Sequence, residues 1–150
     1  MGQSLVCLLV HMVFSTKQRI PLITGDLQPH LYAYMGTVLR SHDSRLLSAG
    51  GIADHIHLLA SVGKQLAISD LVREVKAKSS GWVHREFPKM KKFWWQSGYA
   101  AFSVSSSGTE TVKRYIESQR EHHKRVTFQD ELRTLLRLHN VEFDEKYLWD

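Results

Sequence analysis

The sequence predicts an α/β (α+β) chain in which helices flank an antiparallel-rich sheet and a C-terminal helix carries a tyrosine. Three observations predict it. β-rich apolar runs recur at residues 5–14, 45–62 and 93–105, segments with helical three- and four-residue spacing separate them, and Gly, Pro or Ser clusters punctuate the boundaries. The chain has 150 residues, of which 43% are hydrophobic, enough to bury one sizeable core, so a single domain over residues 1–150 is expected. Only 9 glycines and 3 prolines exclude a collagenous or low-complexity chain.

Leu5 to Phe14 reads as a strand interrupted by His11, followed by the polar loop Ser15-Thr16-Lys17-Gln18-Arg19, which Pro21 closes. From Asp26 to about His42, Leu27, Leu31, Tyr34, Met35, Val38 and Leu39 recur at helical spacing, with Thr24 and Asp26 available as caps. Arg45 to Ala53 and His55 to Val62 are β-like runs around Gly50-Gly51 and Asp54, expected to pair as antiparallel neighbours. Ile68, Leu71, Val72, Val75, Ser79, Trp82 and Val83 mark a second helix that begins near Ser69 and ends before Pro88. Its other face carries Arg73, Lys76, Lys78 and Arg85.

Phe93 to Gln96 and Tyr99 to Ser105 then read as two strands about Ser97-Gly98, with Ser105-Ser106-Ser107-Gly108 as a flexible connection. A third helix starts at Thr109 as N-cap and runs through Tyr115 and Gln119 to about Lys124. A fourth, Phe128 to Leu138, is capped by Thr127, and the aromatic tail Val141 to Asp150 is expected to dock on the body. The first six elements run strand, helix, strand, strand, helix, strand, which is the split βαβ or ferredoxin-like pattern.

Twenty Lys and Arg against 15 Asp and Glu give a net charge of +5, which makes an anionic partner such as nucleic acid plausible. The single Cys7 excludes an internal disulfide framework and a multi-cysteine zinc site, and fits a reducing, cytoplasmic compartment. Leu5 to Val10 is too short to span a bilayer, and no basic segment precedes it as a signal peptide requires. Val6 stands where a myristoylation signal starting at Met1-Gly2 needs Ser or Thr. No membrane association is expected.

The sharpest chemical signal is His55-Ile56-His57. On a strand, residues two apart share a face, so both imidazoles point into one space while Ile56 points to the other side. Such a pair suits a metal ion, although paired histidines also occur on solvated faces and as satisfied core residues. On the third helix, Tyr115, Gln119 and His122 are four and three residues apart and line one face. A tyrosine hydroxyl can be a covalent nucleophile, and the phosphodiester it forms preserves bond energy for rejoining a strand. The alternative is a half-buried helix aromatic whose hydroxyl finds a carbonyl.

Taken together, two histidines and a Gln oxygen could hold a divalent ion, Mg²⁺ or Mn²⁺, that orients a scissile phosphate toward Tyr115. Asp54 is placed to back a histidine. His11, His122 and His123 could sit near such a site, with structural or surface roles favoured for each.

Asp54-His55-Ile56-His57-Leu58-Leu59 resembles the HUH motif, and Tyr115-Ile116-Glu117-Ser118-Gln119 resembles the nucleophile helix of single-tyrosine HUH transposases. His11-Met12-Val13-Phe14-Ser15-Thr16-Lys17, Trp95-Gln96-Ser97-Gly98-Tyr99 and Phe143-Asp144-Glu145-Lys146-Tyr147-Leu148-Trp149 are also similar to these small insertion-sequence proteins, which include the repeat-associated tyrosine transposases. The resemblance implies a metal-dependent DNA transposase that binds hairpins in single-stranded DNA and cleaves through a 5′-phosphotyrosine without ATP. It implies His55, His57 and Gln119 as metal ligands and Tyr115 as nucleophile. It further implies a cytoplasmic protein, nucleoid-associated when DNA-bound, working as a homodimer with shared active sites, in which Ser105 to Gly108 is the hinge. Ser118 stands where many relatives have Asn.

Other readings are a related HUH nickase, or a non-enzymatic module binding single-stranded DNA or RNA, since a ferredoxin-like sheet with aromatic strands suits that role too. A binding module has no need of Tyr115 and Gln119 facing two histidines. For the DNA surface, Lys89-Met90-Lys91-Lys92 running into Phe93-Trp94-Trp95 suits backbone neutralisation with base stacking, with at least one tryptophan expected in the core. The basic face of the second helix and Lys17-Gln18-Arg19 are further candidates for phosphate contact.

Overall fold

A computed structural model describes residues 2–150; Met1, on which the myristoylation reading rests, lies outside the described residues. In chain order the elements are β1 (Leu9–Ser15), α1 (Leu27–Ser41), β2 (Arg45–Ile52), β3 (His55–Ser61), α2 (Ile68–Glu86), β4 (Ala100–Val104), α3 (Thr109–Glu117), α4 (Gln119–His122) and α5 (Phe128–Leu138). The strands form one sheet in the order β2-β3-β1-β4, and every neighbouring pair is antiparallel. This is the ferredoxin-like arrangement the element order predicts.

Strand alternation divides the interior into two layers. Met12, Phe14, Ile56 and Leu58 enter the larger core with Leu27, Leu31 and Met35 of α1 and Leu71 and Val75 of α2. On the other face, Val13 of β1 and Phe102 of β4 pack with Phe128, Leu132 and Leu136 of α5, and Phe143, Leu148 and Trp149 of the tail cover them. The central strands β1 and β3 are therefore buried on both faces, which is why their sequences are apolar with few breaks. The histidines of these strands face the second layer, beneath α3 to α5.

Several boundaries differ from the sequence reading. The first strand starts at Leu9, because its partner β3 ends at Ser61; Leu5, Val6 and Leu8 precede the ladder and are exposed. Phe93 to Gln96 is not a strand of its own. Trp95 makes one bridge to Thr16, on the same edge of β1 that β4 occupies from Val13 to Leu9, so the two expected strands are one line of pairing interrupted at Ser97 to Tyr99. Lys76 fills that gap, its ammonium donating to the carbonyls of Gln96, Ser97 and Gly98.

Thr24, not Asp26, caps α1 by accepting from Leu27 N at 3.2 Å. Ser106–Gly108 forms a short 3₁₀ turn capped by Ser105, which accepts from Gly108 N, and Thr109 is the first residue of α3 rather than its cap. The third helix breaks at Ser118, whose hydroxyl donates to the Tyr115 carbonyl, a local bond that competes with helical pairing. No helix of the described residues is long and apolar enough to cross a membrane.

α5 spans the expected residues, and Thr127 caps it by accepting from Asp130 N at 3.1 Å. Thr127→Ala is expected to lower stability by about 1 kcal/mol, read as a fall in the urea midpoint; an unchanged midpoint means the cap contributes nothing to holding α5 down.

Candidate active site

β3 sets two of the groups. Ile56 and Leu58 point into the α1/α2 core, so His55 and His57 point into the opposite layer, where both are fully buried. Antiparallel register places Gly50 of β2 beside His57 and Ile52 beside His55. α3 lies directly over this strip because position 50 has no side chain. A Cβ there would stand 2.0 Å from the carbonyl oxygen of Ile116, so glycine permits the close approach that brings Tyr115 over His57.

Gly50→Ala is expected to push α3 outward, costing about 1–3 kcal/mol of stability and about a hundredfold in any reaction that needs Tyr115 in register with the histidines. A thermal melt together with a cleavage rate checks both; a variant matching the parent in each would show that the contact positions nothing.

All the side chains converge on one carboxylate, Glu131 of α5. Its Oε1 lies 2.9 Å from His57 Nε2, 3.1 Å from His123 Nε2 and 3.4 Å from His55 Nε2. Its Oε2 accepts from the Tyr115 hydroxyl and, at 3.1 Å, from Gln119 Nε2. Gln119 turns its Oε1 toward His55 Nε2 at 3.3 Å and His123 Nε2 at 2.8 Å. The ring nitrogens facing away have partners as well: His55 Nδ1 is 2.8 Å from Asp54 Oδ1, and His57 Nδ1 is 2.8 Å from His11 Nε2. His55, His57, Gln119 and Tyr115 thus meet within one chain, and Asp54 backs His55. His122 Nε2 comes within 3.2 Å of Glu131 Oε2 without hydrogen-bond alignment.

Residues 4–119 match the family model of IS200-like transposases. The chain belongs to that family. It is 27% identical over 116 residues to the ISDra2 transposase TnpA of Deinococcus radiodurans, covering 74% of this chain and 83% of that protein. It is also 27% identical over 119 residues to the transposase for insertion sequence element IS200 of Salmonella typhimurium, covering 76% and 78%. Two solved structures share the fold. A candidate transposase of Deinococcus radiodurans R1 superposes with a TM-score of 0.65 at 22% identity, over 79% of this chain and 96% of that one. The REP-associated tyrosine transposase bound to a REP hairpin gives 0.61 at 14% identity, over 84% and 74%.

Burial and close carboxylate–imidazole contacts together set the charges in this site. Burial favours a neutral Glu131, but its close polar contacts with His123, His55 and His57 outweigh it and hold the carboxyl well below its usual range. Burial opposes protonation of His55, yet the Asp54 and Glu131 carboxylates more than compensate and raise its pKa. For His57 burial wins, and its pKa is lowered. His11 is pushed down to about 3, first by burial and then by the neighbouring His57. Burial, with the negative charge of Glu131 beside it, drives the Tyr115 hydroxyl up, so the phenol holds its proton in this arrangement.

Three residues of the cluster go beyond the four that the sequence reading assigned. His11 and His123, for which structural or surface roles were favoured there although a place near the site was left open, contact the cluster, and Glu131 was not singled out. Glu131 does leave a trace in the sequence: residues 128, 131, 132, 135 and 136 are one apolar helical stripe with a single charge in it. On the other side of the sheet, Phe93 and Trp95 are core residues, and Trp95 Nε1 donates to Ser79 Oγ at 2.9 Å. Trp94 remains 52% exposed. It borders a cleft of about 460 Å³ with Arg73, Lys76 and Tyr99, and burial brings the Lys76 ammonium down to about 8.

Proposed function

We propose that this chain is a metal-dependent transposase that binds hairpins in single-stranded DNA and cuts and rejoins strands through Tyr115. The observation that carries the reading is the convergence of the Tyr115 hydroxyl and the two β3 histidines on the same carboxylate. A nucleophile and an ion-binding pair a few ångströms apart are what phosphodiester cleavage needs; a module that only binds nucleic acid gains nothing from burying both together.

His55, His57 and Gln119 are the ligands of this reading. Their fit to a divalent ion rests on donor chemistry: His55 Nδ1–H donates to Asp54 Oδ1, which in the neutral ring leaves Nε2 as a lone pair facing the site, and the Gln119 amide is oriented so that its oxygen faces the same point. A bound Mg²⁺ or Mn²⁺ would polarise the phosphate and favour the tyrosinate. Tyr115 Oη attacks phosphorus, forming the phosphotyrosine bond to the 5′ side, and the P–O3′ bond breaks with its electron pair leaving on the 3′ oxygen. That oxygen takes up a proton to become the free 3′-hydroxyl, while the phenol proton is directed at Glu131 Oε2. Rejoining is the reverse attack by a 3′-hydroxyl.

DNA contact by the cleft around Arg73, Lys76 and Trp94 belongs to the same reading, supported by its cations beside an exposed aromatic ring. The working unit is residues 1–150 as one domain, paired as a cytoplasmic homodimer in which Ser105 to Gly108 lets tyrosine helices exchange. The test is incubation with Mn²⁺ or Mg²⁺ and single-stranded DNA from the borders of its own gene. A denaturation-resistant protein–DNA adduct is expected; tight hairpin binding with no adduct favours the binding module.

A further inference from the structure

His123 and Glu131 lie beyond residue 119, where the family match ends, yet they face the same point as the β3 histidines. The proton inventory there is unusual. His123 Nδ1 is 2.7 Å from the carbonyl oxygen of Val126, and a carbonyl only accepts, so that nitrogen carries the ring's proton. His55 Nδ1 is committed to Asp54 in the same way. In the neutral rings both Nε2 atoms are therefore lone pairs, and they aim at two further acceptors, Glu131 Oε1 and Gln119 Oε1, across 2.8 to 3.4 Å. Buried lone pairs facing one another repel unless positive charge lies between them.

The separations from Glu131 Oε1 match those of a coordination shell, and all four ligand atoms lie within 4.8 Å of one another. Donors about 2.0–2.2 Å from one ion, at tetrahedral or octahedral angles, are about 2.8–3.6 Å apart. The separations from Glu131 Oε1 to His57, His123 and His55 are 2.9, 3.1 and 3.4 Å. Three imidazoles and a carboxylate also differ from the oxygen-rich surroundings Mg²⁺ prefers, and suit divalent first-row transition ions.

Resting on the metal-dependent reading above, we propose that His123 and Glu131 join His55 and His57 as ligands, so that the site takes a transition-metal ion such as Mn²⁺, Co²⁺ or Zn²⁺ in preference to Mg²⁺. Glu131 thereby ties the nucleophile to the ion, since its second oxygen holds the Tyr115 hydroxyl.

The test is ion binding by the full chain, stripped with chelator and without DNA: Co²⁺ followed by its visible absorption, Mn²⁺ by calorimetry, each with and without excess Mg²⁺. One ion per chain is expected, undisplaced by Mg²⁺, with affinity falling about tenfold or more in Glu131→Gln and in His123→Ala. Glu131→Asp, which keeps the carboxylate, should recover part of the loss. Circular dichroism verifies each fold, and His123→Ala, at the less buried position, carries the test if Glu131→Gln does not fold. Parent-like affinity in both variants overturns the assignment and leaves a site of His55, His57 and Gln119 standing. Displacement by equimolar Mg²⁺ overturns the selectivity. A parent chain that binds no ion, its cluster balanced by imidazolium protons instead, overturns both this proposal and the metal-dependent reading beneath it.

Discussion

Tyr115→Phe is expected to abolish the covalent protein–DNA adduct and all strand cleavage while leaving hairpin binding nearly unchanged. The substitution removes one oxygen. That oxygen is the only part of Tyr115 the proposed reaction uses, and the ring keeps its edge contacts with His11 and His57. Its loss deprives Glu131 of one donor, about 1.5–3 kcal/mol for a bond to a charged group, but the carboxylate retains Gln119 Nε2 and the surrounding imidazoles. The variant should therefore fold. Measuring adduct formation and hairpin affinity on the same preparation separates the roles: loss of both together would mean that Tyr115 is structural, and an adduct that survives would move the nucleophile elsewhere.

How much of this site was legible in the sequence follows from how local each signal is. His55 and His57 are two apart on one strand, and Tyr115 and Gln119 are four apart on a helix, so strand and helix periods alone bring each pair to one face. That the two faces meet depends on Gly50, whose missing side chain lets α3 descend onto β2. The sequence marks that glycine without saying what approaches it. His11 is legible as a polar interruption of an apolar strand, but its partner His57 is 46 residues away, and only the β1–β3 register joins them. Glu131 required weighing a single charge in the apolar stripe of α5 as a buried group rather than as an exposed turn of helix. His123 follows a break in the helix at Ser118, where periodicity no longer specifies direction.

The same locality explains the fold differences. The expected hairpin about Ser97-Gly98 reads as two strands because both halves have β-rich composition, Phe93 to Gln96 and Tyr99 to Ser105. Which edge a strand joins is a non-local property. Here both halves lie along one edge of β1, and the half-buried Lys76 satisfies the carbonyls left over between them. A basic residue on the face read as a phosphate-contact surface thus spends part of its hydrogen-bonding capacity inside the protein, and Arg73 and the exposed Trp94 are left as the freer groups of that cleft.

His57→Ala is expected to eliminate metal-dependent cleavage, reproducing in one substitution what chelation does to the parent protein. His57 is fully buried, with both ring nitrogens engaged: Nδ1 to His11 at 2.8 Å and Nε2 to Glu131 at 2.9 Å. Truncation leaves both partners buried with one contact fewer, a cost of about 1–3 kcal/mol per unsatisfied group, so a lower melting temperature accompanies the loss of activity. His57→Gln distinguishes the two causes, because it keeps a polar side chain in the layer but cannot place an imidazole nitrogen on the point where His55 and Gln119 aim. If activity follows folding stability, the glutamine variant should recover both in proportion. If it follows ion binding, the glutamine variant should melt near the parent, bind hairpin DNA and still form no adduct at any Mn²⁺ concentration. Cleavage retained by a folded His57→Ala protein would remove the ion from between β3 and Tyr115, and with it the reason for two histidines to be buried beneath a tyrosine.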